Sequence, residues 1–222
     1  MMNTIQMSIT VELTVFPCEW TLIEGGGLQS ELKPGLDLSP RPVLDGWAVR
    51  NDFLAVRPER ASAVSAFLNR TGVFSRASLT SAPIPSSVDD FRGFQSLIRD
   101  LVLNRPALWS QIMQRYPKRK AAVLNMHRLP AFRIDWSREV PSAIVLDTRV
   151  LAAILATVQI DHWRHATFRP CAKPGCWRLF EARGTNKIFC SDKCAKHQSL
   201  RRYRAKKSEA GQQRKKKPLP DE

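Results

Sequence analysis

Hydrophobic and polar positions alternate in several parts of the chain, which predicts strands. The segment 5–16, IQMSITVELTVF, partly alternates and is rich in β-branched residues. AFRIDWS at 131–137 alternates as a half-buried strand does, and SAIVLD at 142–147 predicts a buried strand or the approach to a helix. The stretch 43–56 carries both strand and turn signals, and its pattern does not decide between them.

In other stretches, apolar residues recur at the spacing of an α-helix. Residues 59–69 predict a helix that RTG ends, and a second helix is expected to run to Leu103 with Ser87 or Asp89 as its cap. Pro106 permits a further helix to Tyr116. The apolar faces of the last two helices are predicted to be Phe91, Phe94, Leu97, Ile98 and Leu101, followed by Leu108, Trp109, Ile112 and Met113.

The longest apolar stretch lies late in the chain and predicts one more helix. DTRVLAAILATVQIDHWRH at 147–165 has Asp147 or Thr148 as its expected cap, and its apolar part is too short to cross a bilayer. With the strands, these helices predict a mixed α+β domain over about 1–168. We detect no basic n-region at the start, so we expect a cytoplasmic protein with no membrane association.

Charge is concentrated at the C-terminal end. The 222-residue chain has a net charge of +15, of which residues 171–222 contribute +10, with 15 Lys or Arg against 5 acids. Such asymmetry indicates contact with nucleic acid or another anionic surface.

Four of the five cysteines fall in the same region, as Cys171-x4-Cys176-x13-Cys190-x3-Cys194. Two close cysteine pairs separated by the length of a hairpin suit a tetrahedral Zn²⁺ site. Thiols stay reduced in the cytoplasm, so these cysteines are expected to bind a metal ion instead of forming disulfides. Four cysteines leave no coordination position open, so the zinc is expected to be structural. The alternatives are ordinary buried cysteines, an Fe–S cluster, or a site in which His197 replaces one thiolate.

The residues around the cysteines predict a treble-clef-like module. Pro174 and Gly175 bend the first pair, and WRLFEA and KIFC are expected to form two strands around RGTN. The second pair is spaced i, i+4 on a helix capped by Ser191. Three aromatic residues are expected to shield the ion, namely Trp177, Phe180 and Phe189, whereas Cys18 is expected to be a core residue.

RPCAKPGCWRLF, KIFCSDKC and RRYRAKK together resemble the CGNR zinc-finger family over about residues 169–207. Those bacterial proteins typically carry a larger N-terminal domain, called ABATE in many members, and end in a Cys₄ finger described as DNA-binding or transcription-associated. The resemblance implies zinc ligands at Cys171, Cys176, Cys190 and Cys194 and a basic segment at 201–204. The family's namesake motif reads Cys-Ala-Lys-His at 194–197 here.

A strongly basic helix is expected behind the cysteines, followed over 208–222 by a basic tail that is disordered or only transiently helical. Such a helix can follow phosphates or enter a major groove, so duplex DNA is the expected partner. An acidic protein partner and RNA are the alternatives, and homo-oligomers are possible. The predicted contact residues are Lys196, Arg201, Arg202, Tyr203, Arg204, Lys206 and Lys207.

Catalytic signals are weak by comparison. His162 and His165 could share a metal on one helix face, but histidines near a helix C-terminus more often complement the helix dipole. Asp135 and Glu139 could be paired carboxylates, yet they lack a nearby lysine at nuclease-like spacing. We therefore expect no enzymatic activity.

Overall fold

The chain forms two units of unequal size, Met1–Thr167 and Phe168–Glu222. A computed structural model describes residues 8–15, 18–32, 43–74, 85–104, 106–117, 131–135, 142–147, 149–182, 184 and 186–215. The first unit mixes helices and strands and the second contains the cysteines, so the predicted α+β architecture with a small cysteine module is confirmed.

Six strands of the first unit form a four-stranded sheet and a hairpin. The sheet has the order β4-β1-β6-β5, in which β1 and β6 are parallel and the other neighbours are antiparallel. In β1, Val11 and Leu13 are buried and alternate with more exposed polar residues, which is the period of a sheet with its core on one side. The strands are β1 Ser8–Thr14, β2 Cys18–Ile23, β3 Gly27–Leu32, β4 Val43–Asp45, β5 Ala131–Asp135 and β6 Ser142–Asp147.

The described part of the first unit contains five helices, of which the first and the last pack directly against the four-stranded sheet. The undecided stretch 43–56 resolves into β4 followed directly by α1, and Gly46 allows α1 to approach the sheet, because a Cβ there would lie 2.7 Å from Val11 Cγ1. Aromatic residues of α1, α2 and α3 meet in a cluster in which Phe53 and Phe91 have ring centroids 4.9 Å apart. The helices are α1 Gly46–Ala55, α2 Ala61–Thr71, α3 Val88–Leu103, α4 Trp109–Gln114 and α5 Val150–Trp163.

Most helix predictions are confirmed, with two corrections. All five predicted core residues of α3 are buried, and Ser87 is its N-cap. A 3₁₀ turn precedes α4, and this leaves Leu108 41% exposed instead of on the apolar face. The N-cap of α5 is Arg149 and not Asp147, which belongs to β6, and the other predicted cap, Thr148, lies outside the described residues. The first amides of α5 instead donate to the carbonyls of Val73 and Phe74, at 3.0 Å each.

The second unit contains a short antiparallel strand pair and a long helix. Strands β7 Phe168–Pro170 and β8 Leu179–Glu181 pair with each other, so the predicted pairing of 177–182 with 187–190 is wrong. Helix α6 is Asp192–Lys215, so it extends into the segment that was expected to be disordered or only transiently helical. The rest of that predicted tail lies outside the described residues. No described helix combines the length and the apolar character needed to span a membrane.

Candidate metal centre

The second unit brings Cys171, Cys176, Cys190 and Cys194 together at one point. Their four sulfur atoms all lie within 4.8 Å of one another, and all of these cysteines are free thiols. The Sγ–Sγ distances are 3.5 Å for Cys190–Cys194, 3.8 Å for Cys176–Cys190 and 4.0 Å for Cys176–Cys194. These separations are far longer than the bond of about 2.05 Å in a disulfide.

The spacing of the sulfur atoms fits a tetrahedral metal ion. Zinc–sulfur bonds of about 2.3 Å in a tetrahedron hold the ligands about 3.8 Å apart, which lies within the range of the three distances among Cys176, Cys190 and Cys194. The cluster can therefore hold one metal ion with four sulfur ligands and no open position. His197 is exposed and is not part of this cluster, so the geometry favours the all-cysteine set.

A tight turn aims the first cysteine pair. The Cys176 amide donates to the Lys173 carbonyl at 3.0 Å, and Gly175 adopts a φ of +75° at the centre of the bend. An L-residue with a Cβ is strained at that φ, whereas glycine is not. The Cys171 amide donates to the Arg178 carbonyl at 3.0 Å, which ties the start of the turn to its end.

The second pair lies where the chain enters α6. The Cys194 amide donates to Ser191 Oγ at 3.3 Å, as expected for the predicted cap. Cys190 precedes the helix, because α6 begins at Asp192, and so the prediction that both cysteines lie on one helix face is wrong. Instead, the Cys190 amide points at Cys171 Sγ, 3.5 Å away, which brings the two pairs together.

The three aromatic residues expected to shield the cluster differ in burial. Phe180 is buried and Phe189 is half-buried, but Trp177 is 54% exposed. Among the described residues of this unit, the buried side chains are Cys171, Leu179 and Phe180. Such a small apolar core is typical of domains that need a metal ion or a disulfide to fold.

The pKa values of three of the thiols, Cys176, Cys190 and Cys194, are shifted, and not all in the same direction. Burial raises the pKa of the Cys190 thiol to about 12 and also raises the pKa of Cys176. A side-chain hydrogen bond with Ser191 lowers the pKa of Cys194 to about 7. Four thiolates this close repel one another, and a divalent cation between them would favour the thiolate at every position.

Helix α6 carries the predicted nucleic-acid residues. Near its start, Cys194, Ala195 and Gln198 are half-buried and mark the side that faces the rest of the unit. From residue 199 to residue 208 every side chain is exposed. All of the predicted contact residues are exposed, namely Lys196, Arg201, Arg202, Tyr203, Arg204, Lys206 and Lys207.

The candidate catalytic residues of α5 have structural partners. His162 Nε2 lies 2.9 Å from the Leu101 carbonyl oxygen, and its ring packs edge-on against Trp109. His165 is exposed at the end of the helix, and the metal cluster of the described residues includes neither histidine. The side chain of Asp135 and all of Glu139 lie outside the described residues.

Sequence reasoning missed the partner of Asp161. Asp161 is buried and accepts hydrogen bonds from Arg50 Nη1 at 2.5 Å, Trp47 Nε1 at 3.1 Å and Arg164. Desolvation lowers the pKa of Arg50, and the opposite charge of Asp161 counteracts that effect. The two residues are 111 positions apart, so no local pattern could have paired them.

Comparisons with protein-family models, with curated proteins and with solved structures find no significant match to this chain. Function must therefore be inferred from the chain's own residues.

Proposed function

We propose that this chain is a structural-zinc protein of the CGNR type whose C-terminal unit binds duplex DNA, in a role associated with transcription and without catalysis. The observation that carries the proposal is the junction at Ser191. Around this residue, a cluster of four cysteine sulfur atoms meets the start of a helix that bears nine Lys or Arg against two acids.

Zinc is the ion that this site suits best. Four thiolates in a tetrahedron suit zinc and iron–sulfur chemistry, and the distances of 3.5–4.0 Å among the sulfur atoms of Cys176, Cys190 and Cys194 fit a single ion. We expect the thiols to stay reduced and available to the metal in the cytoplasm. In this role the ion holds a unit whose described core is very small.

The charge of α6 supports a polyanion as partner. Exposed cations that neutralise about five phosphates would give a plot of log K against log salt a slope near −4 to −5 on duplex DNA. RNA and an acidic protein also offer negative charge, and we favour duplex DNA because a straight helix can lie in its major groove. A-form RNA has a deep, narrow major groove that side chains cannot read.

Metal analysis of the purified, reduced protein tests the zinc site. We expect one zinc per chain in the wild type and in Cys18→Ala, because Cys18 is the first residue of β2 and is buried in the first unit. Cys190→Ser should lose the ion, since one of its four sulfur ligands is gone. A full zinc complement in Cys190→Ser would refute the ligand assignment.

A gel-shift series at several salt concentrations tests the partner. The full-length protein should bind duplex DNA with the steep slope given above, and Arg201→Ala/Arg202→Ala should make the slope shallower by about 2. Salt-insensitive binding that is equal in the wild type and in this double variant would contradict the nucleic-acid role. Tighter binding to single-stranded RNA than to duplex DNA would redirect the proposal to RNA.

A further inference from the structure

One side of α6 has an arrangement that its charge alone does not explain. The half-buried residues Cys194, Ala195 and Gln198 define the side that faces the unit. At about 100° per residue, the opposite side is formed by four residues spaced four, three and four positions apart. We call these the outer stripe: Lys196, Leu200, Tyr203 and Lys207, all exposed.

Two apolar side chains occupy the middle of the outer stripe. Leu200 is 57% exposed and Tyr203 is 65% exposed. They are the only large apolar residues in the 24-residue sequence of α6, which is otherwise polar, charged or small. Both are adjacent on the helix surface, and a lysine lies one turn beyond each of them.

We propose, resting on the DNA-binding function above, that the outer stripe is the face of α6 that enters the major groove and reads bases. Leu200 makes apolar contact with base edges such as the thymine methyl group, and Tyr203 adds ring contact and a hydroxyl group. Lys196 and Lys207, about 16 Å apart along the helix axis, bind phosphates on either side.

The dimensions and charges agree with this docking. An α-helix with its side chains is about 10–12 Å across, and the major groove of B-form DNA is about 12 Å wide. Arg201, Arg202 and Lys206 lie on the flanks and the opposite side of the helix, from which side chains reach phosphates better than base edges. They therefore add affinity without sequence preference.

A second copy of the chain is a poorer occupant for the same face. Pairing two α6 helices through Leu200 and Tyr203 would bring Lys196 and Lys207 of one copy next to the equivalent lysines of the other. Each helix also carries nine Lys or Arg against two acids, so the pair would repel. A polyanion has the complementary charge.

Selection from a random duplex DNA library with the full-length, zinc-loaded protein tests the assignment. The wild type should enrich a sequence and prefer it over a scrambled duplex by about tenfold or more. Leu200→Ala/Tyr203→Ala should lose that preference and keep the salt slope, because no charge changes. Both side chains are exposed, and alanine favours helix, so the fold should survive.

Arg202→Ala is the matched control on the other side of the helix. It should keep the sequence preference while its salt slope becomes shallower by about 0.9. Salt-dependent duplex binding without any enriched sequence, or a preference that persists in Leu200→Ala/Tyr203→Ala, would overturn the assignment and leave the proposed function intact. Absence of salt-dependent duplex binding in the wild type, or stronger binding to RNA or an acidic peptide, would overturn both.

Discussion

Gly175 shows how one backbone angle supports the metal centre. Its φ of +75° closes the turn between Cys171 and Cys176, and no atom lies within 4 Å of the position that a Cβ would take. A side chain at this position would therefore meet no steric clash. The cost of a substitution comes only from the positive φ, which L-residues adopt unfavourably. The first cysteine pair is therefore aimed by a residue that is not a ligand.

We expect Gly175→Ala to weaken metal binding. The left-handed conformation should disfavour the folded module by about 1 kcal/mol, and because folding and metal binding are coupled, the metal Kd should rise about fivefold. Competition with a chelator measures this Kd. Gly25→Ala is the matched control, since Gly25 has the same φ and equally open surroundings but lies in the first unit. An equal loss of metal affinity in both variants would contradict the explanation.

The buried carboxylate of Asp161 makes a second prediction at the residue scale. Asp161→Asn removes the charge that faces Arg50, whose side chain is 2% exposed, and should destabilise the first unit by about 3 kcal/mol. Asp52→Asn breaks an ion pair with Arg70 whose two side chains are more than half exposed, so its effect should stay below about 1 kcal/mol. Urea unfolding measures both, and similar losses would show that burial does not matter here.

These residues also mark the limit of sequence interpretation. The four cysteines were found because metal ligands recur at short, fixed spacings, and the structure brings all four together. The pairing of Arg50 with Asp161 was not predicted, because the sequence does not distinguish an arginine that is buried from one that is exposed. Trp177 is expected to shield the sulfur atoms because it is apolar, but apolar character does not determine burial, and Trp177 is 54% exposed.

At the scale of elements, amphipathic period and capping predicted helices better than strand patterns predicted pairing. Helix α3 has both signals, since its five expected core residues are buried and Ser87 Oγ accepts from the Asp90 amide at 3.1 Å. The segment 187–190 has the composition of a strand but forms none, and β8 pairs with β7 instead. Strand pairing depends on which distant segments meet, whereas a helix cap depends on four consecutive residues.

Ser87→Ala should therefore destabilise the first unit by about 1 kcal/mol, because it leaves an amide in the first turn of α3 without its acceptor. Ser96→Ala is the control in the same helix. Ser96 Oγ donates to the Arg92 carbonyl four residues earlier, a bond that the helix does not need, so this change should lie within about 0.5 kcal/mol. Urea midpoints compare the two, and an equal shift would rule out capping as the cause.

At the scale of the molecule, charge and cysteines predicted two parts, and the chain divides at Thr167–Phe168. The sheet was not predictable in the same way, because the parallel pair of β1 and β6 joins segments more than a hundred residues apart. The two units also differ in what can stabilise them. The first has an extensive apolar core, whereas the described part of the second buries only three side chains.

This difference predicts that metal removal will unfold only one unit. A strong chelator should abolish protection from hydrogen exchange over residues 168–215, because the helix α6 is highly charged and the short strands are too small to persist without the ion. Peptides from 43–74 and 150–163 should keep their protection, since their core does not involve the cysteines.

Adding zinc back should restore the lost protection and serves as the control for damage by the chelator. If residues 168–215 stayed protected after complete metal removal, packing alone would hold the second unit, and the four sulfur atoms would need another explanation. Lower pH should make removal easier, because protons compete with the ion for the thiolates.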